Sequence, residues 1–451
     1  MLKEAWKVAI EALSWIEIQK LSEQMALSKT IEQLQVEDPN SIRYAYRLVC
    51  ETVRRKNQID AFIEQVINLE IFNDLNLGLQ SFLRLFIYQT RITRNWSKID
   101  LKEAEKIAKL GRSILGWKML REIENVLGFI LTQEISLILN KLNEIEKIAF
   151  QTFHPIWLVE YCIKILGKSQ TLSFLEANMN LPPDYIRLNT LKGSETEILK
   201  KLSEDSVELK KIDFLKYVYE VIGTKQPLTK ISSFQNGMFY IQDKASCFAA
   251  EIVNPKPGIT VFDVCSAPGT KTTYLAQFMG NQGSIYSIDY SLRRSKVWKK
   301  EIRQMGVKIA NQIMADACTS LPFGAKADII VLDPPCTSTG VFAKQPSAKW
   351  RISLQSIDKM ADIQWQMISN CADMIKQGGF LIYSTCSITI EENEMIIEKF
   401  LKEYADFSLV EIKPNIGIPG FRGLKECQRF FPNLHNSNGF FVAKLRKNNL
   451  P

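Results

Sequence analysis

Residues 259–289 read "ITVFDVCSAPGTKTTYLAQFMGNQGSIYSID". Two apolar stretches, ITVFDVC and GSIYSID, flank a tight turn and a segment of helical texture, SAPGTKTTYLAQFM. Strand, crossover helix and strand make a βαβ unit, and such units build parallel sheets. The alternation continues toward the carboxyl end. A basic helix is predicted over 291–305, followed by strands in VKIANQIMAD and ADIIVLD, a long helix over 354–377 and the strand GFLIYSTC. A helix from 391 and a late strand, GFFVAKLRK, complete the pattern. Residues 241–451 are therefore predicted to form an α/β, Rossmann-like domain, with a mostly parallel sheet and helices on both faces. Ahead of it, 151–240 mixes short strands and helices, as a small α/β module would. In 1–150, stretches such as SIRYAYRLVCETVRRK and SFLRLFIYQTRITRNW place apolar groups three and four residues apart, which predicts an all-helical domain.

Composition narrows the class. A chain of 451 residues with 46% apolar and 24% charged residues is a folded multidomain protein. No window reaches the ~18 apolar residues that a membrane span needs. The start, MLKEAWKVAIEALSWIEIQK, is interrupted by Glu4, Glu11 and Glu17, so an amphipathic helix and a cytoplasmic address are expected. Nine cysteines lack paired spacing, and the two histidines, His154 and His435, lie far apart; no metal is expected. Each cysteine taken alone reads as core filler. The net charge of +8 permits a nucleic-acid partner, and the surplus sits beyond residue 150.

In open α/β sheets, ligands sit beyond the carboxyl ends of the strands. The first strand runs out at Asp263–Cys265 into the loop Cys265, Ser266, Ala267, Pro268, Gly269, Thr270 and Lys271, where Pro268-Gly269 lets a ligand approach the backbone. The loop is neither GxGxxG nor GxxxxGK[ST], which disfavours a dinucleotide or ATP. Asp289, 24 residues after Cys265, suits ribose hydroxyls; Asp316 suits an adenine amino group; Asp333 ends the fourth strand. Acidic strand ends with a glycine turn describe a cofactor with adenosine and no pyrophosphate, S-adenosylmethionine. A methyltransferase is the expected class.

Two further strand ends carry thiols. Residues 327–340, ADIIVLDPPCTSTG, place Cys336 after Asp333, and 379–387, GFLIYSTCS, place Cys386. A thiolate is needed where the methylated atom is not itself nucleophilic, and C5 of cytosine is such an atom. Addition at C6 makes an enamine whose C5 can take a methyl. The nucleophile needs a setting that favours thiolate, and a carboxyl group must hold the pyrimidine's N3/N4 edge. Either cysteine can serve as the thiol, and Asp333 as the carboxyl.

These motifs resemble the RsmB/Nop/Sun family of RNA 5-methylcytosine methyltransferases. The resemblance is carried by DPPCTSTG with YSTCSITIEENE, and by DVCSAPGTKT against the family's CAAPGGKT. It extends to IRLNTLKG, FYIQDKASCFAA, KWRISLQSI and RFFPNLHNSNGFFVAKL. Coverage runs from about 150 to the end, and the helices before it resemble a NusB-type domain. The resemblance implies Cys386 as nucleophile, Asp333 as base-recognising carboxylate, and Cys336 assisting proton removal and product release. Lys271 closes the cofactor loop, either beside the base and carboxylate or as an ordinary helix-start lysine. Thr270 stands where the family often has glycine. If that position required positive φ, strain of about 1 kcal/mol or more would fall on cofactor affinity.

RNA is the expected partner, ribosomal RNA ahead of transfer RNA, with a monomer and no membrane. The target base must leave its stack to reach the thiols. Lys344, Lys349 and Arg351, after the Pro-Cys loop, are assigned to RNA phosphates, with Trp350 stacking or packing. The helix carrying Arg293, Arg294, Lys296, Lys299, Lys300 and Arg303 reads equally as a solvated face. The clusters Arg54-Arg55-Lys56 and Arg91/Arg94/Lys98 read first as solvated helix faces and second as RNA contacts. Two other classes compete: a non-catalytic RNA-binding assembly factor, which the retained thiols and acids argue against, and an NAD-dependent dehydrogenase, which the missing GxGxxG makes remote.

Overall fold

The computed structural model describes residues 2–96, 100–319, 321 and 324–449. The chain divides into two compact units: 1–180 together with 342–352, and 181–341 together with 353–451. No helix among the described residues is long and apolar enough to cross a membrane.

The first unit is helical. Its opening helix, Leu2–Gln19, turns Trp6, Ala9, Leu13 and Ile16 inward at three- and four-residue steps, and the helix Leu77–Thr90 is buried on nearly all sides. The helices Ile156–Leu166 and Lys168–Ala177 cluster with this unit.

The basic residues of this unit are used inside it. Arg54 bonds Glu51 at 3.2 Å and the Asn178 carbonyl at 3.5 Å, Arg55 pairs with Glu51, and Lys56 with Glu17. Arg91 donates to the carbonyls of Leu131 and Gln133, and Arg94 pairs with Glu103. These side chains serve the hydrogen bonds and ion pairs of their own unit. Lys98 lies outside the described residues.

The segment Phe342–Ile352 interrupts the second unit and joins the first. Trp350 Nε1 donates to the Val53 carbonyl at 2.7 Å, and its ring packs on the helical core. Ser347 N donates to Glu23. Lys349 is buried and its ammonium donates to the Phe153 carbonyl. Arg351 donates to the carbonyls of Lys20 and Leu21. The assignment of Lys349 to an RNA phosphate is thereby corrected, because its ammonium is desolvated. Arg351 gives one guanidinium nitrogen to those carbonyls and stays exposed, and Trp350 packs. Lys344 has an exposed side chain.

The second unit starts with β1 (Tyr185–Leu188), a helix, β2 (Val207–Lys211), β3 (Val218–Thr224), a short helical turn and β4 (Phe239–Ile241). They pair antiparallel in the order β2-β3-β1-β4, the βαββαβ ferredoxin-like arrangement.

The large sheet then forms from β5 (Thr260–Val264), β6 (Ser284–Asp289), β7 (Ala310–Met314), β8 (Ala327–Leu332) and β9 (Ile375–Thr385). Four further strands follow: β10 (Phe407–Leu409), β11 (Ile418–Pro419), β12 (Gln428–Phe430) and β13 (Phe440–Lys447). The described order is β11-β12-β13-β9-β8-β5-β6-β7, with β10 on β13. Strands β7, β6, β5, β8 and β9 are parallel, and β13 returns antiparallel along β9. Successive side chains fill opposite faces: Ile329 and Val331 one core, Ile330 and Leu332 the other. A strand covered on both faces reads as an unbroken apolar run, which is why ADIIVLD was legible.

Candidate active site

The cofactor loop lies between β5 and the helix Thr270–Phe278. Its left-handed residues are Cys265 (φ 63°) and Gly269 (φ 113°), and Gly269 is the cap of the helix. A Cβ on Gly269 would lie 3.2 Å from the Trp298 ring, so both conformation and space favour glycine there. Thr270 is the first helical residue and carries no positive φ. The strain tied to a positive φ at Thr270 is therefore absent; the demand falls one residue earlier.

Arg187, from the quoted IRLNTLKG, is fully buried. It donates to the Thr270 carbonyl and, at 2.8 Å, to Thr273 Oγ1, with the Tyr274 ring 4.3 Å from its guanidinium. The small sheet thus fixes the start of the cofactor helix. Sequence reasoning passed over Arg187 because nothing local distinguishes it from an exposed strand arginine.

Asp289, at the end of β6, is buried and accepts from Ala267 N at 3.2 Å and Ser291 N at 3.1 Å. Ser266 N donates to the Ile288 carbonyl. Asp316 stands beyond the end of β7, exposed, with its carboxylate turned to Cys318 N at 2.9 Å. Asp263 was not singled out and is the most perturbed acid of the loop. Burial pushes its carboxyl up to about 7; Thr272 Oγ1 donates to one oxygen, and the other has no partner.

The second cluster forms where β8 and β9 run side by side. The register Leu332↔Tyr383 brings Asp333 next to Ser384, whose hydroxyl lies 3.2 Å from Asp333 Oδ1. Lys271 Nζ sits 2.5 Å from the other oxygen, its side chain 6% exposed against 35% for Asp333. A plain helix-start lysine would face solvent; this one is buried on a carboxylate.

Three residues beyond Asp333, the loop brings Cys336 Sγ to 3.2 Å from Cys386 Sγ. Ser338, in left-handed backbone at φ 56°, turns its hydroxyl to 3.4 Å from Cys386 Sγ. Both thiols are free. As a thiol Cys386 donates to Ser338 Oγ; as a thiolate it accepts from both the Cys336 thiol and the Ser338 hydroxyl. These hold the Cys386 pKa below the ordinary thiol value against the opposing effect of burial. The same bond, with burial, pushes the Cys336 thiol up. One sulfur is set up as thiolate and its neighbour as the proton-bearing partner. Gly340 closes the loop: a Cβ there would lie 2.2 Å from the Gly439 carbonyl oxygen, and Gly439 N donates to Gly340 O at 2.8 Å.

With this geometry in view, comparison with known proteins is direct. Residues 250–446 match the 16S rRNA methyltransferase RsmB/F family, and residues 154–219 match the ferredoxin-like domain of RsmF/B-like methyltransferases. The solved structure of PH0851 superposes with a TM-score of 0.84 at 30% identity, covering 99% of both chains. The chain belongs to the RsmB/F family.

It is thus an S-adenosylmethionine-dependent RNA cytosine-C5 methyltransferase. The "Probable ribosomal RNA small subunit methyltransferase B" of Bacillus subtilis is 27% identical, covering 98% of each chain. The "tRNA (cytosine(72)-C(5))-methyltransferase" of Pyrococcus horikoshii is 37% identical over 49% of this chain and 55% of its own. The residues fit the family's cofactor. The unpartnered Asp263 oxygen suits a cationic end. The exposed Tyr290 and Leu292, at 66% and 67%, offer apolar surface beside Asp289 for a planar ring.

The basic helix Leu292–Met305 buries Ser295, Trp298, Ile302 and Met305 and leaves Arg293, Lys296, Lys299, Lys300 and Arg303 exposed. Arg294 is turned back to Asp289 and the Ala267 carbonyl.

Proposed function

We propose that this RsmB/F enzyme methylates C5 of a cytosine in ribosomal RNA through a covalent bond between Cys386 and C6. The observation that carries the reading is the thiol pair: two free sulfurs 3.2 Å apart, with the Cys386 pKa lowered and that of Cys336 raised. Asp333, held by Lys271 and Ser384, presents its carboxylate to the N3/N4 edge of the pyrimidine. Cys386 as thiolate adds to C6, which pushes electron density onto C5. S-adenosylmethionine, when bound, supplies a methyl group on a positively charged sulfur. Cys336, once it has lost its own proton to solvent water, accepts the C5 proton; the C5–H electrons re-form the C5–C6 double bond and Cys386 leaves as thiolate. Asp263, Asp289 and the loop Cys265–Thr270 would hold the cofactor, and Asp316 would serve its adenine amino group.

Ribosomal RNA is favoured because the relative bearing that function in its name matches along nearly the whole chain, amino-terminal helices included. A transfer RNA substrate is the second reading, favoured by the higher identity to the Pyrococcus enzyme over about half of the chain. The test of mechanism is a trap. Cys336→Ala is expected to accumulate a protein–RNA adduct visible on denaturing gels, and Cys386→Ala to form none. Free turnover by Cys336→Ala would overturn the two-thiol scheme. Bisulfite mapping of ribosomal and transfer RNA from cells lacking the protein separates the two substrates.

A further inference from the structure

Glu392 lies in the quoted SITIEENE and has so far had no part. It is wholly buried, and its carboxylate has no cationic partner among the described residues. Its two oxygens take different kinds of donor. Oε1 accepts the Thr337 backbone N–H at 2.8 Å and Gln364 Nε2 at 2.9 Å. Oε2 accepts the hydroxyls of Thr337 at 2.5 Å, Ser387 at 2.6 Å and Thr389 at 2.7 Å.

Thr337 directly follows Cys336, and Ser387 directly follows Cys386. One side chain therefore ties together the neighbours of both thiols, which stand 50 residues apart in sequence. The two carboxyl oxygens offer four lone-pair sites, so one side chain satisfies donors from both loops at once. Surrounding bonds extend the tie: Thr339 Oγ1 lies 2.9 Å from Ser387 Oγ and accepts from Ile388 N at 3.0 Å. From below, Arg429 donates to the carbonyls of Ile388 and Thr389 and pairs with Glu394.

We propose that Glu392 is the positioning residue of the thiol pair: its carboxylate sets the distance between Cys336 and Cys386 without touching RNA or cofactor. The proposal rests on the two-thiol reading above and adds to it the group that holds the two sulfurs together.

Full-length Glu392→Asp, Glu392→Ala, Glu392→Gln and Cys386→Ala variants test it with two measurements. The first is the rate of Cys336–Cys386 disulfide formation under diamide, read by mass spectrometry of the linked peptides, with no RNA, cofactor or turnover. The second is the split between kcat and KM for RNA. Aspartate is one methylene too short to reach both loops, so Glu392→Asp and Glu392→Ala are expected to slow disulfide formation at least fivefold. They should lower kcat at least tenfold with KM within twofold. Glutamine offers its carbonyl oxygen to the two N–H donors and its two amide hydrogens to the Thr337 and Ser387 hydroxyls, which keeps both loops tied and gives up only the Thr389 bond, so Glu392→Gln should stay within threefold of the parent on both. A Glu392→Asp variant that oxidises and turns over like the parent overturns the proposal, as does a Glu392→Gln variant as impaired as Glu392→Asp. Should Glu392→Ala fail to fold, the aspartate and glutamine variants decide. Cys386→Ala keeps the two readings apart: its methyl transfer, if retained, removes the nucleophile, whereas an unchanged disulfide rate in Glu392→Asp removes only the positioning role.

Discussion

Replacing Lys271 with methionine tests how tightly Asp333 must be aimed. Methionine keeps most of the lysine stem but removes the ammonium that stands 2.5 Å from Asp333 Oδ2. A hydrogen bond between charged partners is worth about 1.5–3 kcal/mol. Lys271 is almost fully buried but Asp333 is a third exposed, so water takes over part of the lost interaction and the lower end applies. About 1.5 kcal/mol corresponds to roughly tenfold. Asp333 would keep one weak partner, the Ser384 hydroxyl at 3.2 Å, and its carboxylate would turn toward solvent. Tritium transfer from labelled cofactor to RNA should therefore show kcat/KM lowered about tenfold. The thermal midpoint should change little, because the exposed carboxylate hydrates. A Lys271→Met enzyme within twofold of the parent would show that the pair plays no part in aiming the carboxylate.

Three further changes follow from the same geometry. Ser338→Ala removes a donor from Cys386, so alkylation of that thiol by iodoacetamide should reach its midpoint at higher pH than in the parent; an unmoved midpoint would exclude Ser338 from thiolate stabilisation. Asp263 has its pKa raised to about 7 by burial, so its protonated form favours folding below about pH 4, and that stability is lost as pH rises toward 7. Asp263→Asn should abolish that part of the decline, about 1.4 kcal/mol per pH unit at most, in denaturant titrations between pH 4 and 7; a parallel decline in both proteins would contradict the assignment. Lys349→Met should alter the melting of the helical unit but leave the salt slope of RNA binding unchanged, since the ammonium already serves the Phe153 carbonyl; a slope shallower by ~0.9 would restore it as a phosphate contact.

The large sheet was legible because its strands are covered on both faces and punctuated by turn residues, so ADIIVLD and GFLIYSTC announce themselves. Boundaries were less so. The helix expected to reach 377 ends at Ala372, and β9 starts at Ile375 and runs through Gly378 in left-handed backbone. Local apolar period does not mark that change. The thiols and Asp333 were legible from chemistry at strand ends. What sequence could not show was which partner each charged residue would choose. Lys349 and Lys271 look alike in sequence, each a lysine near a strand-end motif, yet one is buried on a carbonyl of the helical unit and the other on Asp333. Glu392 and Arg187 were missed for the same reason. A buried charge is identified by its long-range partners, and those exist only once the chain is folded.

The position of the two cysteines follows from the strand order. Because β8 and β9 are parallel neighbours, residues that follow their carboxyl ends emerge side by side whatever the length of chain between them. Asp333 leaves β8 and reaches Ser384 at once; three residues on, past Pro334 and Pro335, Cys336 meets Cys386. The prolines cannot donate to the sheet ladder, so they end β8 and release the loop. Gly340 then lets the loop pass against Gly439, which leads into β13, the antiparallel neighbour of β9 on its other side. The thiol pair therefore lies at the ends of three adjacent strands. A single-residue slip of β8 against β9 would exchange the two faces of β8 and separate the sulfurs, so pairing register and catalytic competence are the same constraint.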